Sequence, residues 1–153
     1  MPSFGAHAPL SYYAVPESER AKRCALGSDD CVIDDEYFFV RGCLDIPVVG
    51  HTEPFSWGVW VSLSEAHFKE WAKLFGETQR SHVGPFFGWL NAAMELYPDT
   101  VNLKTMVHFR DNGIRPFIEL EPTDHPLAVE QRNGISVARV AEIYAKIMHD
   151  NDT

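Results

Sequence analysis

The side chains best suited to bind a ligand or to catalyse a reaction lie in segments whose composition and alternation are typical of β-strands. They combine two cations, an imidazole, a carboxylate and a large aromatic ring: Arg41, Trp60, Lys104, His108 and Glu119. If their strands belong to one sheet, these side chains line a single open face. An imidazole or carboxylate can move a proton, the cations can bind an anion, and an indole offers a surface for stacking. The combination predicts a site for a small anionic ligand or an acidic peptide.

The same residues are also typical of an ordinary solvated sheet face. Antiparallel sheets commonly expose one face to water, and opposite charges on neighbouring strands then pair across it. Lys104 and Glu121 are expected to form such a pair. The alternative interpretation is therefore a polar surface that binds nothing.

A second histidine, His125, follows carboxylates at Glu119, Glu121 and Asp124. A histidine beside carboxylates can act as a general base or a metal ligand. However, no other histidine follows at the spacing of one helical turn, which a helical metal site requires. The alternative is that Asp124 caps a helix and His125 forms a structural hydrogen bond. We expect no metal site.

Aromatic residues are concentrated in Phe86-Phe87-Gly88-Trp89 and at Trp57. Such clusters form cores, but they also form ligand walls and interfaces. The core is the favoured interpretation, and Trp89 is the member we retain as a candidate ligand-binding residue.

Two strand pairs are predicted to position these side chains. The run Phe55–Leu63 alternates so that Phe55, Trp57, Val59, Val61 and Leu63 share one face, which places Trp60 on the opposite, solvent-facing side. The runs 101–110 and 114–121 flank Asn112-Gly113, the strongest short hairpin signal. With those two residues as the loop, Met106 lies opposite Glu119 and Val107 opposite Ile118.

Helices are predicted between and after the strands. Short helices are expected over residues 16–24 and 125–132. Two longer helices, both with an apolar stripe at helical spacing, are expected after a capping box over Ser62-Leu63-Ser64-Glu65 and after a cap at Ser136. The fold class is therefore α+β, an antiparallel sheet built from hairpins with helices packed on one face. A single domain over residues 1–153 is expected.

Composition excludes several classes of protein. The formal net charge is −9 without a local basic stripe, so a nucleic-acid partner is not expected. The chain has three cysteines, Cys24, Cys31 and Cys43. Because their number is odd and no two have Cys-x-x-Cys spacing, they are expected to be free thiols. Neither a signal peptide nor an apolar run of membrane-spanning length is apparent. We expect a cytoplasmic protein without a membrane partner.

Several long segments resemble a family of small bacterial proteins classed as a domain of unknown function. They are EYFFVRGCLDIPV, EPFSWGVWVSLSE, GPFFGWL, YPDTVNLKT and IELEPTDHPLAVEQRNGIS. The resemblance extends from Ser3-Phe4-Gly5 to about Ile147 and implies kinship without an assigned reaction. Many relatives carry a Cys-x-x-Cys element before the segment matching Ser3-Phe4-Gly5. This chain lacks that pair, so no metal role is carried over from it.

The sequence favours a binding protein that uses the sheet face around Trp60 for a small polar ligand or a protein partner, with no bound cofactor. The alternative is a small cofactor-free enzyme, hydrolase-like, using His108 or His125 with Glu119. No nucleophile elbow, phosphate loop or dinucleotide fingerprint occurs, which makes an enzyme less expected. Catalytic residues scattered along the chain would leave no such motif, so whether the protein is an enzyme stays open. A third hypothesis is a homo-oligomer whose exposed aromatic residues form its own interface.

Overall fold

A computed structural model describes residues 3–151, with side chains from Phe4 to His149. The strands are β1 (Ser3–Gly5), β2 (Cys24–Leu26), β3 (Asp30–Ile33), β4 (Tyr37–Ile46), β5 (Phe55–Leu63), β6 (Phe86–Leu90), β7 (Lys104–His108) and β8 (Phe117–Leu120). The helices are α1 (Leu10–Ala14), a 3-10 turn (Glu17–Glu19), α2 (Arg20–Arg23), α3 (Glu65–Leu74), α4 (Pro126–Asn133) and α5 (Val137–Asn151). Within the described residues, none of these helices is both long enough and apolar enough to cross a membrane.

The sheet is mixed and closes on itself. β4 and β5 pair antiparallel from Phe38–Leu63 to Ile46–Phe55, and β6, β7 and β8 follow in antiparallel order. β8 then returns to β4 in a parallel pairing, where the Cys43 amide donates to the Pro116 carbonyl at 2.8 Å. β1 also pairs parallel, with β5, while β2 and β3 extend the sheet beyond β4. The predicted antiparallel hairpins are present, but the sheet is not purely antiparallel.

The parallel junction follows from the number of strands in the closed part. Five successive strands, β4 to β8, alternate in direction, so the fifth runs parallel to the first when the ring closes. The close approach requires a glycine at position 42, because a Cβ there would lie 2.6 Å from the Ile118 side chain. Hairpin patterns in the sequence give neighbouring strands only, so they did not predict this junction.

The hairpin register is the one predicted from Asn112-Gly113. Met106 pairs with Glu119, Val107 with Ile118 and His108 with Phe117. Asn112 and Gly113 both have positive φ, at 62° and 72°, as the turn chemistry requires. β7 ends earlier than predicted, at His108, and β8 begins later than predicted, at Phe117. The residues between them form a longer loop, in which Arg110 Nε donates to the Arg115 carbonyl at 2.7 Å.

Helices cover both faces of the sheet. The main core includes residues from α3, α4 and α5 packed on the face of β5 that carries Phe55 and Trp57. A second core on the other face consists of Trp60, Phe39, Cys31, Ile33 and Val15, and the segment that contains α1 packs against it. The prediction of helices on one face only is therefore wrong.

Trp60 is fully buried, at 0% exposure, and its indole nitrogen donates to the Ala6 carbonyl at 3.1 Å. Alternation correctly separated it from Trp57, but the prediction that its face is wet is wrong. The N-terminal segment covers this part of the sheet, and the strand pattern alone contains no information about that cover.

Arg80, which follows α3, joins that helix to the β7–β8 hairpin. Its side chain is 4% exposed, and its guanidinium donates to the backbone oxygens of Leu74, Phe75, Arg110 and Ile114. On the hairpin side, Asp111 Oδ1 accepts from the Arg80 and Ser81 amides at 2.7 and 2.8 Å. These amide hydrogen bonds lower the pKa of Asp111.

We expect Trp60→Ala to lower the free energy of unfolding by about 3–5 kcal/mol, because it leaves a large cavity in a packed core. Trp89→Ala, which truncates a tryptophan that is 42% exposed, is the matched control and should cost clearly less, about 1–2 kcal/mol, because it removes an aromatic contact without leaving a buried cavity. Urea unfolding measures both. Equal losses in the two variants would contradict the burial of Trp60.

We also expect Asp111→Asn to change how stability depends on pH. A carboxylate whose pKa is lowered on folding stabilises the protein above its unfolded pKa, about 3.9, and this stabilisation disappears as pH falls through the folded pKa. The wild type should therefore exceed the variant in stability at neutral pH, and the difference should shrink below about pH 4. Unfolding midpoints at several pH values test this. Asp124→Asn, at an exposed aspartate, is the matched control for the loss of one carboxylate from the chain.

Candidate functional site

The side of β6, β7 and β8 that points away from the main core carries most of the predicted site residues. Trp89 pairs with Lys104, Phe87 with Met106, and Met106 with Glu119. Phe87 and Trp89 are 40% and 42% exposed, and their ring centres lie 4.9 Å apart at 88°. This edge-to-face pair is an unusually large aromatic surface in contact with water.

The side chains of His108 and Glu119 are hydrogen-bonded on this face. The Nε2 atom of His108 lies 3.0 Å from Oε1 of Glu119, and the imidazole also contacts the Phe117 ring, with centres 5.8 Å apart. The two residues are diagonal neighbours on adjacent strands, which brings long side chains within reach of each other. The carboxylate orients the imidazole, an arrangement that can bind a polar group or transfer a proton.

Lys104 has its predicted backbone register but not its predicted charge partner. The Glu121 amide donates to the Lys104 carbonyl at 2.9 Å, as expected for opposite positions. Among the described residues, however, no carboxylate lies within ion-pair distance of the Lys104 ammonium. The ammonium is therefore available to a ligand carboxylate.

Two cavities adjoin at Glu119, Leu120 and Pro122, and we call the pair the β8 groove. The smaller has a volume of about 190 Å³ and is lined also by Phe87, Lys104, Met106 and Glu121. The larger, about 430 Å³, is lined also by Asp45, Pro47, Pro54, Phe117, Gln131 and Arg132. The larger volume lies within the range of small-molecule sites.

The far end of the β8 groove is held by partly buried hydrogen bonds. Gln131 of α4 accepts from the Leu120 amide at 2.8 Å and donates to the Ile118 carbonyl at 2.8 Å, which ties the helix to β8. Asp45 accepts from Arg110 at 3.1 Å across the β4–β8 junction. These contacts make the groove a fixed feature of the fold.

Arg41 lies outside the β8 groove. Its guanidinium is 5.8 Å from the Trp60 ring and donates to the Ser28 carbonyl at 3.4 Å. Burial and the neighbouring Arg115 lower the pKa of Arg41. Burial alone would raise the pKa of Asp29, but the hydrogen bonds from Arg115 and Ser28 outweigh it and lower that pKa. Arg41 therefore belongs to a charge cluster over the second core.

His125 is a helix cap. Its Nδ1 accepts from the Leu127 amide at 3.1 Å, and its Nε2 lies 3.0 Å from the Asp99 carbonyl. The first contact requires an unprotonated Nδ1, so the second is a donated hydrogen bond. Asp124, the predicted cap, does not fill that role because the residue immediately before Pro126 is His125.

The structure thus unites Lys104, His108, Glu119 and Trp89 and separates them from Arg41, Trp60 and His125. Met106 and Phe87 were omitted from the predicted site, although their alternation with Lys104 and Trp89 would have identified them. Asp45 and Gln131 come from distant elements and have no local signal. No group of three or more potential metal-ligating side chains occurs in the described part of the chain.

The three cysteines are free thiols, as predicted. Cys31 is fully buried in the second core, where burial raises the pKa of its thiol to about 12. A thiol with such a pKa is protonated at neutral pH and is a poor nucleophile.

We expect His125→Ala to lower the free energy of unfolding by about 1 kcal/mol, the usual effect of losing a helix N-cap. Asp124→Ala, one position earlier, is the matched control and should change stability by about 0.5 kcal/mol or less. Chemical denaturation of the two variants gives both values. A larger loss for Asp124→Ala would show that the cap is misassigned.

A family described as "Uncharacterized protein conserved in bacteria (DUF2199)" matches residues 1–135. No curated protein and no solved structure matches the chain. Since the match covers most of the sequence, and confirms the kinship that the motifs indicated, the chain belongs to this family of uncharacterized proteins conserved in bacteria.

Proposed function

We propose that the protein binds a small polar ligand in the β8 groove, and that the ligand has the chemistry of an amino acid or a short peptide. The observation that carries this proposal is Lys104, a cation without an ion-pair partner among the described residues, beside the exposed rings of Phe87 and Trp89. A ligand carboxylate would bind Lys104, and an apolar side chain would pack on the rings.

The carboxylates of the groove support the other half of this ligand chemistry. Glu121 lines the smaller cavity together with Lys104, and Glu119 borders both cavities. They would accept hydrogen bonds from an amino group or from peptide N–H groups. The binding surface around Trp60 that the sequence indicated is replaced in this proposal by the surface around Trp89, because Trp60 is buried.

A hydrolase-like activity is the second candidate, and the His108–Glu119 pair favours it. Its 3.0 Å separation is that of an imidazole oriented by a carboxylate, and the pair borders the groove through Glu119. In such an enzyme His108 would act as the general base on water. Loss of peptide cleavage in His108→Gln, with ligand binding retained, would distinguish this candidate from binding alone.

A homo-oligomer remains a third hypothesis, since the Phe87–Trp89 pair would also suit an interface between copies. A mass that increases with protein concentration, and that returns to the monomer value in Trp89→Ala, would support it. A cytoplasmic location is proposed as well, supported by three cysteines that remain unpaired.

The test of the main proposal is an NMR titration of isotope-labelled protein with the dipeptide Gly-Phe. We expect the indole resonance of Trp89 to shift, and the affinity to fall about fivefold when the peptide carboxylate is amidated, the effect of losing about 1 kcal/mol of ionic hydrogen bonding. Lys104→Met should lower the affinity for Gly-Phe similarly and should abolish the discrimination between acid and amide.

Lys22→Met is the matched control, because Lys22 is an exposed lysine on α2 and does not line the groove. It should bind Gly-Phe as the wild type does. The proposal fails if Gly-Phe leaves the Trp89 resonance unchanged at millimolar concentrations, or if Lys104→Met retains full affinity.

A further inference from the structure

Another cavity lies away from the β8 groove. It is a cleft of about 520 Å³, within the range of small-molecule sites, and it is bordered by β1, by the segment 92–96 and by Ile147 of α5. None of its lining residues lines either cavity of the groove. We call it the N-terminal cleft.

The N-terminal cleft has room for a ligand because many of its lining residues have short side chains or none. Alanines at positions 6, 8, 92 and 93 line it, together with Gly5 and Gly58. Gly5 is required where β1 meets β5, since a Cβ on it would lie 2.1 Å from the Gly58 carbonyl oxygen. The cleft is therefore a consequence of the close pairing of these two strands and of the short side chains opposite them.

Aromatic side chains supply the larger lining groups. The rings of Phe4 and Trp57 have centres 6.2 Å apart and planes inclined at 53°, and Tyr13 also lines the cleft. Aromatic ring faces carry partial negative charge and attract organic cations, alkylated ammonium groups above all. The guanidinium of Arg20 lies 5.7 Å from the centre of the Tyr13 ring but does not line the cleft.

Glu95 is the one charged side chain among the lining residues. Among the described residues, no hydrogen-bond or ion-pair partner is available to its carboxylate. A carboxylate beside apolar and aromatic walls complements a cation with apolar substituents, which loses less hydration on entering such a site than a bare ammonium does.

We infer that the N-terminal cleft binds a small organic cation of the alkylated ammonium class. The aromatic corner of Phe4 and Trp57 takes the alkyl groups, and Glu95 balances the charge. The negative net charge of the chain adds to the attraction at long range. This site is independent of the proposed function, because it shares no residue with the β8 groove.

The test uses three probes of nearly identical shape and different charge: choline, 3,3-dimethylbutan-1-ol and 3,3-dimethylbutanoate, which are positive, neutral and negative. NMR titration follows the indole resonance of Trp57 and the methyl resonance of Met94, both of which belong to the lining. Choline should shift both resonances and bind at least about tenfold more tightly than the alcohol, and the anion should bind more weakly still.

Two substitutions, each with a matched control, locate the binding. Ala93→Phe adds a large side chain at an exposed lining position and should abolish choline binding, whereas Ala138→Phe, on the exposed side of α5 outside the cleft, should leave it unchanged. Glu95→Gln keeps the shape of the side chain and should weaken choline binding about threefold or more. Glu77→Gln is its control at an exposed glutamate elsewhere.

The inference is overturned if the alcohol binds as tightly as choline, since charge then plays no part. It is also overturned if choline leaves the Trp57 resonance unchanged at concentrations of tens of millimolar, or if Ala93→Phe binds choline as the wild type does. Failure of Gly-Phe to bind the β8 groove would leave this result untouched, so the two proposals are separately testable.

Discussion

The approach of β8 to β4 at Gly42 is the contact on which the arrangement of the candidate site depends. A side chain at this position would meet the Ile118 side chain at 2.6 Å and the Pro116 carbonyl at 2.9 Å. Because the position is a glycine, the sheet closes, and Asp45 of β4 comes to line the same cavity as Glu119 of β8. Ion pairs between Arg110 and Asp45 and between Arg115 and Asp29 span the same junction. The groove is therefore a product of closure, since its walls come from both ends of the ring.

Closure also explains why two tryptophans on the same side of the sheet have different environments. Ser62 pairs with Trp89, so Trp89 of β6 shares the outward side of the sheet with Ser62 and with Trp60 of β5. Trp60 lies under the N-terminal segment and is fully buried, whereas Trp89 has no such cover and is 42% exposed. In a closed sheet the interior is filled once, and the outward side is buried only where another segment crosses it. The exposed part of the outward side is therefore the part that the N-terminal segment does not cover.

These differences define how much could be predicted from the sequence. The register of the β7–β8 hairpin and the cap at Ser136 depend on residues within a few positions of each other, and each is present as expected. The capping box predicted over Ser62–Glu65 is two residues out of place, because Ser62 still belongs to β5 and Ser64 caps α3. The parallel β4–β8 junction, the cover over Trp60 and the contribution of Asp45 and Gln131 to the groove depend on contacts between distant segments. Of the predicted site residues, Lys104, His108 and Glu119 lie on one side of one hairpin, as its register predicted. Trp60 was misplaced because alternation identifies a face but not what covers it.

Local charge, more than net charge, determines what each cavity would bind. The field of a chain with net charge −9 favours cations everywhere on its surface, but salt screens that field beyond about 8 Å at physiological ionic strength. Within that distance the β8 groove contains charges of both signs: Arg110 offsets Asp45, and Lys104, which has no ion-pair partner among the described residues, lines the same cavity as Glu119 and Glu121. In the N-terminal cleft, Glu95 has no such counterion among the described residues. As proposed, the same acidic chain therefore presents one site suited to ligands with both charges and another suited to cations, because cations and carboxylates both line the first, whereas Glu95 is the one charged residue that lines the second.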